Sequence, residues 1–377
     1  MRSDNLFATS HSFKTYDLER EKSMSRIAID VMGGDYAPRA IMEGALWAAQ
    51  EYGVGLELVG QQDAINAEIE RIRTAGCIYS DCGTKGHKRK IKIDVDKIDY
   101  TITHASEVIG MGEAVGQSIR KKKDSSIVAS VRAVAEGRCE AVVSAGSTGA
   151  AMAASLFGLG RIHGVQRPAI AVTLPTLKDP VVLIDGGANS DCTAEMLAQF
   201  AEMGVAYSEH VVGIKNPKVG ILSIGEEEGK GNTLVKETYP LLKDMHEKGY
   251  IDFVGNIEGK ELFINKCDVV VCDGFAGNVA LKVTEGTASM LLKMISAEFK
   301  SDFIGCIIGL LAKPFLRRIL KRINWEVFGG MLLLGVKGIS VIAHGRSSSY
   351  AMKNAVRAAV RVLNKDINSK IAENINR

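Results

Sequence analysis

An excess of charge of either sign is missing from these 377 residues: 47 Lys and Arg stand against 44 Asp and Glu, a formal net charge of +3. A dedicated nucleic-acid binder carries a large basic surplus, so that class is set aside and no nucleic acid is expected as a partner. Aromatics are only 6 %, and Pro is scarce at 7 residues. The seven cysteines are odd in number and include no C-x-x-C pair. That excludes a disulfide framework and suits reduced thiols in the cytoplasm. Cys77, Cys82 and His87 form the one Cys/His cluster. They lack a fourth ligand and the usual short spacing, so no metal is expected. The one uncharged run of near-membrane length, residues 141–160, holds Ser144, Gly146, Ser147, Thr148 and Gly149 in its first half. It reads as strand, turn and helix rather than as a span.

Nucleotide and nucleophile signatures are missing too. Gly225 to Gly231 is too short for a P-loop, and Gly rather than Ser or Thr follows Lys230. Gly158-Leu159-Gly160 follows a helical stretch, where a dinucleotide fingerprint would follow a strand. No nucleotide cofactor, and no cofactor of any kind, is expected. There is no G-x-S-x-G elbow. A reaction in which an oxyanion substrate is itself the nucleophile fits that absence.

What is present is aliphatic: hydrophobic content is 46 %, with 39 glycines. Short β-branched runs over 26–31, 56–59, 141–143, 181–184, 219–224, 251–254, 269–272 and 339–343 predict strands, several apolar on both faces. Amphipathic stretches over 39–51, 194–208 and 233–248 predict helices between them. The alternation predicts a doubly wound, mostly parallel α/β sheet with helices on both faces. A single long amphipathic helix is expected over 347–374, capped by Ser347 or Ser348. Residues 77–97 read as a loop insertion. Residues 1–24 read as a polar leader or tag outside the fold, and 25–377 as one α/β domain.

The chemistry is expected in the turns after the strands. These hold Gly33, Gly34 and Asp35; Ser144, Gly146, Ser147, Thr148 and Gly149; Asp185 and Asn189; Lys230 and Asn232; Gly274 and Asn278; and His344. In a parallel sheet such turns gather along one edge. Gly-rich turns entering helix N-termini leave N–H donors for an anion. Tight turns alone explain any single one; their number favours a phosphate-like ligand. A basic cluster, Arg120 to Lys123, precedes Ser125 and Ser126. On one reading Lys122 or Lys123 reaches phosphate while a serine caps the next helix; on the other the cluster is a solvated face or a dock for an acidic protein. His344 is a further candidate for a proton or hydrogen-bond role.

A second basic cluster, Arg317, Arg318, Lys321 and Arg322, follows the apolar run 303–312. Pro314 is expected to start a helix there. Phe315, Leu316, Ile319 and Leu320 share one side of it, the cations the other. That is the pattern of a helix lying on an anionic membrane surface, the alternatives being a dimer interface or a core helix. Residues 284–324 would form a helical tip.

The motifs at 27–38, 122–126, 144–150, 185–189, 225–232, 255–259, 273–278 and 335–338, in this order, resemble the phosphate acyltransferase (PlsX) family. The resemblance covers nearly the whole chain beyond the leader. It implies the fold of the isopropylmalate dehydrogenase and phosphotransacetylase group. It implies a homodimer that moves a fatty acyl group from acyl carrier protein to inorganic phosphate, for phospholipid synthesis. It also implies a cytoplasmic enzyme attached peripherally to the membrane, whose product feeds a glycerol-3-phosphate acyltransferase. The alternatives are a phosphotransacetylase-like enzyme using short acyl-CoA and a non-catalytic carrier-protein scaffold.

Overall fold

A computed structural model describes residues 25–81, 88–323, 325–327, 329–363 and 365–377. The leader reading, Cys82 and His87 lie outside the described residues. The first half of the chain forms β1 (Arg26–Asp30), α1 (Arg39–Tyr52), β2 (Gly55–Gly60), α2 (Gln62–Ala75), β3 (Cys77–Ser80), β4 (Arg89–Lys92), β5 (Tyr100–His104), α3 (Val115–Lys121), α4 (Ser126–Ala135), β6 (Ala141–Ser144), α5 (Thr148–Leu159), β7 (Ala169–Leu174) and β8 (Val181–Ile184). The second half forms α6 (Ala194–Tyr207), β9 (Lys218–Ser223), α7 (Thr233–Glu247), β10 (Asp252–Glu258), β11 (Val269–Val271), α8 (Gly274–Glu298), α9 (Phe303–Ile323), β12 (Met331–Leu334), β13 (Ile339–Ile342), α10 (Ser349–Leu363) and α11 (Ile367–Ile375).

Eleven strands make one sheet in the order β10-β9-β11-β8-β7-β12-β13-β6-β1-β2-β5. Its central strands are buried on both faces, which is why they read as unbroken aliphatic runs. On one face Ile27, Ile29, Leu56 and Leu58 join the apolar sides of α1, α2, α6 and α10 in the largest core cluster. On the other, Ala28, Val142 and Ile342 pack against α4 and α5. Gly44 lets α1 lie close on α10: a Cβ there would stand 2.5 Å from the Ser349 carbonyl oxygen and 2.6 Å from Met352 Cβ.

Strand direction departs from the expected single edge. Pairing is parallel within β10-β9-β11-β8 and within β13-β6-β1-β2-β5. The junctions β8/β7, β7/β12 and β12/β13 are antiparallel. Three reversals leave the two parallel blocks pointing in opposite directions. The turns after β1, β6 and β13 therefore open on one edge of the sheet, and those after β8, β9 and β11 on the other.

Three local expectations are also corrected. Residues 77–97 contain an antiparallel hairpin, β3 with β4, rather than only loop. The C-terminal helix is two helices, interrupted at Asp366, whose φ of 44° lies in the left-handed region and breaks the helical ladder. Of the two serines expected to cap the first of them, Ser348 does so, its hydroxyl accepting from Ala351 N–H at 3.2 Å. Pro314 lies inside α9 rather than at its start, where it removes one backbone donor without ending the helix.

Replacing Gly44 by Ala drives a Cβ into the α10 backbone. It should lower the unfolding free energy by about 1–3 kcal/mol, seen as a lower denaturant midpoint at unchanged slope.

Candidate anion site

β1, β6 and β13 are neighbours, so their turns interlock. Gly34 takes φ 109°, which a side chain would resist, and its Cα faces the carbonyl oxygens of Ala145 and Gly345. Asp35 N–H donates to the Gly345 carbonyl at 2.8 Å. A Cβ on Gly33 would stand 2.6 Å from Asp30 Oδ2 and 2.8 Å from Gly146 N. The small residues after these strands thus let three backbones close on a pocket lined by Asp30, Gly33, Ile109, Ser126, Ser144 and Ser147, among others.

Two helices end on that pocket. In α5 the first intrahelical bond is Ala151 N–H to the Ser147 carbonyl, so the N–H groups of Thr148, Gly149 and Ala150 have no acceptor in the helix. Ser147 occupies the N-cap position, but its side chain accepts no capping bond. Ser125 stands in the same place before α4, again without a side-chain cap, and its buried hydroxyl has no partner. The expectation that Ser125 or Ser126 caps this helix through its side chain is not met. Two uncapped N-termini with hydroxyl groups between them make a site for an anion. Two donors are already taken: Gly146 N–H binds Ser144 Oγ at 3.1 Å, and Ser126 N–H binds the Glu107 carbonyl at 3.1 Å.

Asp30, at the end of β1, was missed in the sequence, although an acidic residue ending an aliphatic strand is a signal that something holds it there. Its Oδ2 accepts from the Ser144 hydroxyl at 2.6 Å. Burial pushes its carboxyl up, against the nearby polar groups of Ser126, Ser144, Met32 and Gly33. His344, after β13, stands on the same edge. Its Nδ1 accepts from Arg346 N–H at 3.1 Å, which puts the neutral ring's proton on Nε2. Burial, then the charge of Lys282, holds the imidazole below its usual pKa. Lys282 and Glu285 come from α8, which starts on the opposite edge and crosses the sheet face. Leu281 of that helix packs with β8 and β11.

The lysines do not line this pocket. Lys122 Nζ binds the Val108 carbonyl and Glu113 Oε1, each at 2.7 Å, and so ties down the segment whose Val108 and Ile109 form one wall. Glu113 is lowered to about 2, first by that lysine. Lys123 is exposed.

The remaining predicted residues sit on the other edge. Asp185 is buried and fully engaged. Its Oδ1 accepts from the N–H groups of Ile170, Gly187 and Ala188, and its Oδ2 from Asn189 N–H and Nδ2. It organises its own turn. Gly274 N–H donates to the Asn189 carbonyl at 2.7 Å, and a Cβ there would stand 2.6 Å from that oxygen. Asn278 is exposed beside Gly187. Asn232 caps α7 through Val235 N–H at 2.9 Å, and Lys230 is exposed in the preceding turn. The structure therefore brings together Gly33 to Asp35, Ser125, Ser126, Ser144 to Gly149 and His344. Asp185, Asn189, Lys230, Asn232, Gly274 and Asn278 follow strands of the other parallel block.

An open α/β sheet with an anion cradle at its strand ends defines the class: an α/β protein of the phosphotransacetylase-like architecture. A phosphotransacetylase from Streptococcus pyogenes superposes with a TM-score of 0.57 over 94 % of this chain and 95 % of that one, at 16 % identity. A 4-hydroxythreonine-4-phosphate dehydrogenase from Klebsiella pneumoniae does so with a TM-score of 0.52 over 91 % and 100 %, at 13 % identity. The family described as fatty acid synthesis protein matches residues 25–80 and 82–370. A phosphate acyltransferase from Dictyoglomus turgidum is 44 % identical over 93 % of this chain and 98 % of its own, and one from Heliobacterium modesticaldum is 47 % identical over 93 % and 97 %. The chain belongs to this family, the phosphate acyltransferase family that its motifs resemble.

The lowered His344 value has a sign. Unfolded, the ring takes its proton at a higher pH than it does folded, so its contribution to stability is present above about pH 6.5 and declines as pH falls. A histidine-ring NMR titration should place His344 below the ordinary value. His344→Gln should flatten the stability loss on acidification.

Proposed function

We propose that this protein transfers a fatty acyl group from acyl carrier protein to inorganic phosphate. The observation that carries this reading is the pocket between the uncapped ends of α4 and α5. It offers backbone N–H groups and the hydroxyls of Ser126 and Ser147 to an anion. Family membership supports acyl transfer to phosphate as the reaction, because the relatives cited are phosphate acyltransferases. A phosphate oxygen held there attacks the thioester carbonyl. The C–O bond forms, the C–S bond breaks with its electron pair going to sulfur, and the phosphate proton ends on the thiol. Positioning and oxyanion stabilisation are what such a reaction asks of a protein. On this reading His344 Nε2–H faces the developing oxyanion. Lys122 acts on phosphate only by holding the wall at Val108, while Asp185 and Asn189 shape the opposite edge.

The choice of a long-chain carrier-bound donor over short acyl-CoA rests on α8 and α9. From Lys282 to Leu320 no residue is buried. Phe303, Ile304, Leu310, Leu311, Phe315 and Ile319 are 53–79 % exposed. Leu316 and Leu320 are half-buried, and Arg318 lies over the Phe315 ring at 4.9 Å. The side chains of Lys321 and Arg322 lie outside the described residues. Among those residues no helix is long and apolar enough to cross a membrane. We read the projection as a tip that rests on an anionic membrane and keeps the acyl group near lipid, in a peripheral, cytoplasmic homodimer. Its acyl phosphate would pass to a glycerol-3-phosphate acyltransferase.

Purified protein with palmitoyl-acyl carrier protein and phosphate should give hydroxylamine-trappable acyl phosphate, with free carrier released in step. Product from acetyl-CoA alone would replace this reading with the phosphotransacetylase one, and silence with every donor would favour the scaffold. In that assay Lys122→Ala should raise the phosphate KM about tenfold, by loosening the pocket wall. Lys123→Ala should leave it unchanged.

The tip has its own check. Leu311→Glu with Phe315→Glu should abolish flotation with liposomes containing anionic lipid while leaving turnover of soluble substrate intact. Undiminished flotation would remove the membrane from the model.

A further inference from the structure

Asp30 is 2 % exposed and lines the pocket. Its Oδ2 is held by Ser144, but its Oδ1 has no hydrogen-bond partner. A buried carboxylate oxygen without a donor is costly, and proteins rarely keep one without a use. The surroundings make it stranger. What else the pocket turns towards a ligand, the N–H groups that open α4 and α5 and the hydroxyls of Ser126 and Ser147, suits an oxyanion. An acceptor among them repels an anion that carries no proton. It binds one that does.

Inorganic phosphate keeps a proton near neutral pH, and sulfate, of nearly the same size and charge, keeps none. We propose that Asp30 Oδ1 accepts a hydrogen bond from the P–OH group of bound hydrogen phosphate and so makes this pocket select phosphate over sulfate. The inference rests on the reading of this pocket as the phosphate site, and it makes Asp30 a specificity-determining residue. The Ser144 hydroxyl, which accepts from Gly146 N–H, can turn its own proton only towards Oδ2. Oδ1 is left without a donor. The size of the effect follows from general experience: a site built to pair a hydroxyl rejects the analogue that lacks it by large factors, because its buried group is left unpaired.

Four oxyanions separate proton from shape and charge. Phosphate and arsenate carry a proton at pH 7.5; sulfate and selenate do not. Calorimetric titration of the full-length protein at fixed ionic strength should give similar affinities for the first pair. The second pair should bind at least about 100-fold more weakly. In Asp30→Asn the amide oxygen can still accept from Ser144, and its NH2 group replaces Oδ1 as a donor. The phosphate-to-sulfate ratio should then fall to within about tenfold. Sulfate binding within about threefold of phosphate in the unmodified protein would overturn the proposal, whether or not the variant folds. So would an unchanged ratio in a folded Asp30→Asn. Failure of phosphate itself to bind would overturn the phosphate-site reading, and this proposal with it.

Discussion

Three antiparallel junctions decide where chemistry can occur in this protein. Had β7 and β12 run with their neighbours, every Gly-rich turn would have opened on one edge. Because they reverse the sheet, each parallel block keeps its own edge, and ligand-binding turns belong to the carboxyl ends of each block separately. The block β13-β6-β1 brings three such turns into contact and adds two helix N-termini. The block β8-β11-β9 spends its polar groups on itself: Asp185 takes five donors from its own surroundings, and Asn232 caps a helix. A polar residue whose bonds are complete stabilises its turn but has little left for a ligand.

Among the described residues, no lysine or arginine lines the cradle. Arg346 is drawn towards Asp35, at 3.8 Å, and Lys122 is occupied with Glu113 and the Val108 carbonyl. An anion here would be held by dipoles rather than by charge. Such a site costs little to keep dry and fixed, whereas a lysine side chain would have to be ordered at each turnover.

Much of the architecture was legible in the sequence because its signals are local. The helices expected over 39–51, 194–208 and 233–248 form within one residue of those bounds at each end. The strands that were missed have weaker signatures. β5, Tyr100 to His104, is an edge strand with no fully buried residue, and β12 is a four-residue apolar run that periodicity alone cannot assign. Missing β12, and β7 beside it, is also what hid the reversal, since strand direction is a property of pairing and not of composition. The site was half legible for the same reason. Gly33, Ser126, Ser144 and Ser147 could be named from turn chemistry. That Asp185 is consumed by its own turn, and that Asp30 is left with a bare oxygen, depends on contacts between strands far apart in the chain.

α8 joins the two edges. It begins at Gly274, where a Cβ three residues on, at Gly277, would collide with the Asp185 carbonyl oxygen. It crosses the sheet face as far as Leu281, passes His344 at Lys282 and Glu285, and leaves the body of the protein. From Lys282 to its end at Glu298 is 16 residues, or about 24 Å at helical rise. A helix is stiff over that distance, so the wall beside His344 and the exposed apolar tip move as one lever. On the proposed reading of the tip, a membrane surface would set the angle of that wall. Contact with such a surface and the shape of the cleft would then be one mechanical variable.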